Sequence, residues 1–411
     1  SDLMAATLNV IIQWVKVLTM VAAGVIIDAI PFKSGKYRTW WLICAFVVAI
    51  FLPLTFAYFG ISPAAAGILF VIFYTVQMLG YNVGWTALRT LAGVLGKTGN
   101  DSVILGSAAN VAGTIPSVIY PFIYGPIFAI PLWAGTQNIY MGFGVISGII
   151  IIIGGFIIYG LCKDVDGPAQ AAAYTGTKKE KVKRVGFFEM IKNLKGPGLI
   201  FFIITVFNAA QSGVFSTLLT YYAIYVLKNP GITASTISAT AAAAMIGSVF
   251  VPAIAKKFGK KNLYIFQFIA MIVLYAVLVM AGNNGTLFVI IRAAQTLVGC
   301  VSNCLLPAFM VDIADYNEMK GEVGARAFLQ SMGGTATRLG FSLGSIISSF
   351  TLAIVGFDAT LAEQTAKTLS GIKSFTIIAP AAACLIALIF TFLYKVDENA
   401  LNDYRMSKVN E

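Results

Sequence analysis

The feature that most constrains this chain is the recurrence, along its whole length, of long stretches of predominantly apolar residues. A helix needs about 20 such residues to cross the hydrocarbon layer of a bilayer. Stretches of that kind fall at 3–29, 40–61, 63–94, 102–130, 138–162, 198–227, 232–255, 262–282, 286–313, 326–356 and 371–395, eleven in all. Only 11% of the residues are charged, against roughly a quarter in a soluble domain. The expected fold class is therefore an all-α polytopic membrane protein, with the lipid bilayer as its permanent partner.

The net charge of +11 would suit a nucleic-acid partner if the basic residues formed a patch, but they sit in particular connections between spans. Lys33, Lys36 and Arg38 occupy the first connection, Lys97 the third, and Lys178, Lys179, Lys181, Lys183 and Arg184 the fifth. Lys256, Lys257, Lys260 and Lys261 follow in the next basic one, while the connections around Trp133 and at Asn283-Asn284-Gly285 carry no basic residue. That alternation is what the positive-inside rule produces. It puts the basic connections and the C-terminus in the cytoplasm, makes the protein multi-pass in the cytoplasmic (inner) membrane, and argues for no nucleic acid.

An odd number of spans leaves Ser1 outside, which leads us to expect one further helix ahead of the visible eleven. The segment 163–197 divides the spans into five and six, so one more helix gives six plus six. The expected domains are a helical bundle over 1–162, a cytoplasmic linker over 163–197, a second bundle over 198–395 and a cytoplasmic tail over 396–411. A weak repeat matches this division: Gly24-Val-Ile-Ile-Asp28 runs into the basic turn Lys33–Arg38, and Ala255–Lys261 holds the same place in the second half. Paired helical halves around a midplane site are a transporter pattern. The five cysteines lie in or beside apolar runs and there is no histidine, which argues against disulfides, a metal site and a His-based enzyme. No nucleophile–base pair and no phosphate-cradling Gly-Lys-Ser/Thr loop is present, so no enzyme and no cofactor are expected.

Particular residues then carry a resemblance. The Gly24–Asp28 turn resembles a degenerate cytoplasmic loop motif of the major facilitator superfamily. Lys33-Ser-Gly-Lys-Tyr-Arg-Thr-Trp40 is similar to that loop in the glycoside–pentoside–hexuronide cation symporters, the melibiose permease family. The fuller match is Asp312-Ile-Ala-Asp-Tyr-Asn-Glu-Met-Lys320 followed by Arg326, which resembles the family's acidic segment after its tenth helix; Tyr221-Tyr222 through Lys228-Asn-Pro230 is similar to the end of its seventh. The resemblance implies a major facilitator fold of two six-helix bundles and a monomeric carrier of a sugar or glycoside working by alternating access. A non-transporting receptor or sensor with this fold, or a carrier of an organic anion or lipid, are the alternatives.

The same resemblance implies cation-coupling carboxylates at positions where this chain has Lys16, Met20 and Trp85, so Na⁺ or H⁺ coupling lacks support from the visible residues. Lys16 lies 13 residues from either end of the span 3–29, about 20 Å of helix from each interface, and a charge so deep has to face a cavity or a partner. Asn9, Gln13 and Lys16 share its face by their 4-3 spacing. Three readings of Lys16 stay open: a built-in cation replacing a coupling ion, an attractor for an anionic substrate such as a uronic acid glycoside, or a structural ion-pair member.

Gln77, Tyr81, Trp85 and Arg89 recur every four residues on span 63–94, where Tyr81 and Trp85 would suit stacking on a sugar ring or simple helix packing. Asn208, Gln211, Tyr221, Asn303 and Arg338 are candidate ligands in the second half. Arg89 is a candidate interfacial gate residue. Asp312, Asp315, Glu318, Lys320 and Arg326 form a mixed-charge cytoplasmic cluster whose ion pairs, by resemblance, join the halves in one state and break in the other; a solvated, topology-setting loop is the other reading, and Asp28, near a cytoplasmic helix end, is a further candidate gating residue.

Overall fold

Apolar side chains and small residues between basic turns make long helices here, and among the described residues there are no strands. The computed structural model of the chain describes residues 2–30, 32–95, 99–128, 139–167, 195–321, 326–358, 361 and 363–410. In chain order the helices are α1 (Asp2–Ala29), α2 (Lys36–Thr55), α3 (Pro63–Leu95), α4 (Gly99–Phe128), α5 (Ile139–Leu161), α6 (Pro197–Tyr221), α7 (Gly231–Phe258), α8 (Lys260–Met280), α9 (Gly285–Met319), α10 (Arg326–Ile354), α11 (Ala366–Leu393) and α12 (Glu398–Asn410). The first eleven match the eleven expected spans, and nine are long and apolar enough to cross a membrane among the described residues. The chain is a multi-pass helical membrane protein. Large apolar side chains point outward along the helices, among them Ile150, Phe250 and Ile354, as a lipid-facing surface requires.

The structure moves several boundaries. Span 40–61 becomes a helix over Lys36–Thr55: it starts earlier because the Asp166 carboxylate accepts hydrogen bonds from the backbone N–H groups of Lys36, Tyr37 and Arg38, at 2.9, 2.6 and 2.7 Å. Those are the donors that a helix start leaves unsatisfied. It stops at Thr55, where the Phe56 N–H turns back to the Pro53 carbonyl at 3.0 Å, and the next helix starts at Pro63 with the Ser62 hydroxyl accepting from the Ala65 N–H, a side-chain cap with Pro at the first position. The span expected to end at 313 continues to Met319, so Asp312, Asp315 and Glu318 lie on a helix rather than in a loop. Residues 168–194, most of the expected linker, lie outside the described residues.

Two compact units emerge. One comprises Ser1–Leu95, Tyr120–Asn193 and Ala314–Thr335; the other comprises Gly96–Ile119, Leu194–Ile313 and Ala336–Glu411. In the first, α2 packs on α3 and α5, and α1 on α3. Glycines set the α2–α5 distance: a Cβ at Gly144 would meet Pro53 Cα at 2.9 Å, at Gly148 the Ala49 carbonyl oxygen at 2.9 Å, and at Gly155 the Ala45 methyl at 2.9 Å. Small residues at four- and seven-residue spacing are the usual device for close helix packing in lipid. In the second unit, α11 packs on α6 and α8, around fully buried Phe201, Tyr264, Phe268, Tyr275 and Phe288.

Candidate functional site

In the first unit, Asp28 ends α1 and makes two bonds of different kinds. One oxygen pairs with the Lys36 ammonium at 2.7 Å; the other accepts the Phe328 backbone N–H at 3.0 Å, in the first turn of α10. A carboxylate at a helix N-terminus satisfies an orphan donor and opposes the positive end of the helix dipole. The two helices can meet because Gly24, one turn before Asp28, has no side chain: a Cβ there would lie 2.8 Å from the Ala327 carbonyl oxygen and from Phe328 Cα. Beside this contact, Arg326 reaches Asp315 at 2.6 Å and Glu318 at 3.5 Å.

Asp312 does not join them. Its carboxylate lies in the second unit, buried between Lys260 and Arg405, the latter at 2.9 Å from the tail helix α12. The single acidic cluster expected from sequence is thus resolved into two sets, Asp312 with Lys260 and Arg405, and Asp315 and Glu318 with Arg326. Close to Asp312, Tyr394 packs against Phe309 at 5.5 Å, with its hydroxyl buried and without a hydrogen-bond partner. Burial pushes that phenol well above its ordinary pKa, and the carboxylates of Asp312 and Glu398 add to the effect.

The α3 stripe is real as a stack. Tyr81 and Trp85 lie nearly parallel at 6.2 Å, and the Arg89 guanidinium sits 4.8 Å over the Trp85 ring. Gln77 is half-buried one turn earlier. Lys16, half-buried on α1, is held where α1 meets α3: Asn82 donates to the Lys16 carbonyl at 3.4 Å and to the Thr19 hydroxyl at 2.8 Å. Asn82 was not singled out by the sequence, since it follows Tyr81 directly and sits off the four-residue stripe. Met20 is a packing residue whose sulfur would lie 3.2 Å from a Cβ at Gly334 of α10. The backbones of Asn9 and Gln13 belong to α1, but their side chains lie outside the described ones.

In the second unit, Asn208 accepts from Gln267, which also bonds Ser302 at 2.6 Å. Gln211 accepts from the Tyr275 hydroxyl at 2.6 Å. Tyr221 packs edge-on against Phe357, Asn303 is exposed, and Arg338 is half-buried on α10. The structure therefore does not bring these five into one cluster.

It does bring together Arg292 and Gln295, one turn apart on α9. Both are buried, at 8% and 1% exposure. Arg292 donates to the Gln295 carbonyl oxygen and lies over the Phe215 ring at 3.1 Å. Among the described residues no carboxylate pairs with it. Burying such a charge costs about 2.5–3.5 kcal/mol on insertion scales, and a desolvated aromatic face returns roughly 2 kcal/mol. Arg292 Nε and Gln295 Nε2 remain without acceptors, at about 1–3 kcal/mol each. Tyr275 and Gln211, bonded to each other, complete the cluster from two other helices.

Long apolar helices and glycine-set contacts define a polytopic α-helical membrane protein. The chain belongs to the family described as MFS/sugar transport protein, whose model matches residues 1–398. Among curated relatives, it is 26% identical over 370 residues to an uncharacterized symporter of Bacillus subtilis, covering 89% of this chain and 78% of that one. It is 24% identical over 387 residues to the isoprimeverose transporter of Lactiplantibacillus pentosus, covering 91% and 77%. It is 21% identical over 410 residues to the glucuronide carrier protein homolog of Escherichia coli, covering 97% and 86%. Among solved structures, the Escherichia coli fucose:proton symporter shares the fold at a TM-score of 0.65 with 15% identity, over 96% of this chain and 91% of that one. A bacterial homologue of the iron transporter ferroportin does so at 0.66 with 15% identity, over 95% and 90%. The expected major facilitator fold is thus the fold of the chain.

Proposed function

We propose that this protein is a secondary transporter that moves a sugar or glycoside across the cytoplasmic membrane by alternating access, with its C-terminus in the cytoplasm. The observation that carries the reading is the match of the sugar-transport family over almost the whole chain. Its relatives named as carriers of isoprimeverose and of glucuronide support a glycoside as substrate. The stacked Tyr81–Trp85 pair offers a flat aromatic surface for the apolar face of a pyranose ring, and Gln77 offers an amide for its hydroxyls.

The contacts around Asp28 suit a gate. Asp28 with Phe328 and Lys36, and Arg326 with Asp315 and Glu318, tie α1 and α9 to the start of α10 through groups of which Arg326 is partly exposed. Such contacts are worth a few kcal/mol at most, so a carrier can make them in one state and break them in the other without trapping itself. Lys16 stands where the family resemblance places a cation-binding carboxylate. It supplies a fixed positive charge at that position, so transport proceeds without Na⁺.

The test is uptake of labelled glycosides by the purified full chain in proteoliposomes, with and without Na⁺ and with an imposed pH gradient. Saturable uptake that is insensitive to Na⁺ is the expected result. Na⁺-driven accumulation that survives in Lys16→Ala would refute the fixed-charge reading.

A further inference from the structure

We propose that Arg292 and Gln295 form an oxyanion subsite in the C-terminal half of the carrier, one that takes the carboxylate or sulfonate of an acidic sugar. The inference rests on the carrier reading above and names the substrate class within it.

Hydrogen-bond stoichiometry drives it. Both amide carbonyl oxygens in the cluster are engaged: that of Gln295 by Arg292 and that of Gln211 by the Tyr275 hydroxyl. Gln211 Nε2 is also satisfied, donating to the Ser212 hydroxyl at 3.0 Å. Two buried donors are left over, Arg292 Nε and Gln295 Nε2, and with them one positive charge. The cluster is therefore short of acceptors and short of negative charge.

A neutral hydroxyl corrects neither deficit cleanly, since it brings a donor with each acceptor and no charge. A carboxylate or sulfonate brings several acceptor oxygens, a negative charge and no donor, and guanidinium is the side chain best matched to its planar oxygen pair. The two orphan donors stand on one helix at a spacing of three residues, which puts them on one face. Arg292 lies seven residues inside α9 from Gly285, about 10 Å along the helix, a depth a sugar reaches only from within a carrier. In the described conformation Phe215 covers the guanidinium, and Phe288 and Tyr222 continue that aromatic stack at 6.0 and 4.9 Å. It ends at the π turn Tyr222–Val226 that closes α6, a backbone irregularity of the kind found at functional sites. The oxyanion replaces the Phe215 ring face as the partner of the charge.

The experiment compares p-nitrophenyl β-glucuronide, a methyl 6-deoxy-6-sulfoglucoside and the neutral p-nitrophenyl β-glucoside, in binding to the purified full chain and in proteoliposome uptake. Wild type, Arg292→Gln, Arg292→Lys and Gln295→Leu are tested. Wild type is expected to prefer one or both acidic probes over the neutral one by about 10- to 100-fold, the range for charge-assisted hydrogen bonds. Arg292→Gln abolishes that preference, Gln295→Leu reduces it, and Arg292→Lys keeps part of it. The glucuronide and sulfonate arms tell which oxyanion fits. Wild type that carries the neutral probe equally well overturns the subsite and leaves the carrier reading standing. Selective binding of an acidic probe without uptake of any probe supports the subsite and overturns the carrier reading. Should Arg292→Gln fail to fold, the wild-type preference and the Gln295→Leu result decide.

Discussion

Replacing Asp28 by alanine removes two contacts at once, and the structure says how each should be felt. Phe328 is the third residue of α10, so its N–H has no acceptor within its own helix, and Asp28 accepts it at 3.0 Å. A hydrogen bond to a charged group is worth about 1.5–3 kcal/mol, which corresponds to roughly 10- to 100-fold in the opening equilibrium of that amide. Hydrogen–deuterium exchange of peptides covering the first turns of α10 should therefore accelerate by about that factor in Asp28→Ala. Asp28→Asn keeps an acceptor oxygen but loses the charge, and falls between. Lys36→Met removes the ion pair at 2.7 Å yet leaves the cap, so exchange at the start of α10 stays close to wild type. Unchanged exchange in Asp28→Ala, or equal acceleration in Lys36→Met, would refute the claim that this carboxylate ties α1 to α10.

Other perturbations follow from the same geometry. Gly148→Val pushes α5 away from α2, because even a Cβ would lie 2.9 Å from the Ala49 carbonyl oxygen; overpacking of this kind costs about 1–3 kcal/mol, read as a lower melting temperature in detergent. Lys260→Met should destabilise the protein more than Arg405→Met. Lys260 is the more buried partner of Asp312, and stripping a buried pair of one member costs about 3–5 kcal/mol; equal losses in thermal unfolding would contradict this. Tyr394→Phe should leave stability unchanged or raise it, since the buried hydroxyl has no partner and its removal lifts a desolvation penalty of about 1–3 kcal/mol.

The helices themselves were legible in sequence because lipid tolerates nothing but apolar surface over the length of a span, and that demand is written residue by residue. Their ends were less so. The start of α2 is set by Asp166, 130 residues away, and α9 runs on through Asp312 to Met319 because Lys260, Arg405 and Arg326 satisfy its carboxylates. The i+4 spacing from Gln77 to Arg89 was visible, and it did become a stack. By contrast, what distinguishes Arg292 and Gln295 is a deficit of acceptors that appears only when α6, α8 and α9 are assembled. Asn303 was placed among the ligands by its polarity alone, and it is exposed.

Proteoliposome uptake by the purified full chain tests the central claim most directly. Saturable entry of a glycoside, abolished by excess unlabelled sugar and indifferent to Na⁺, is the predicted result. Specific glycoside binding with neither entry nor exchange of any glycoside would contradict the account.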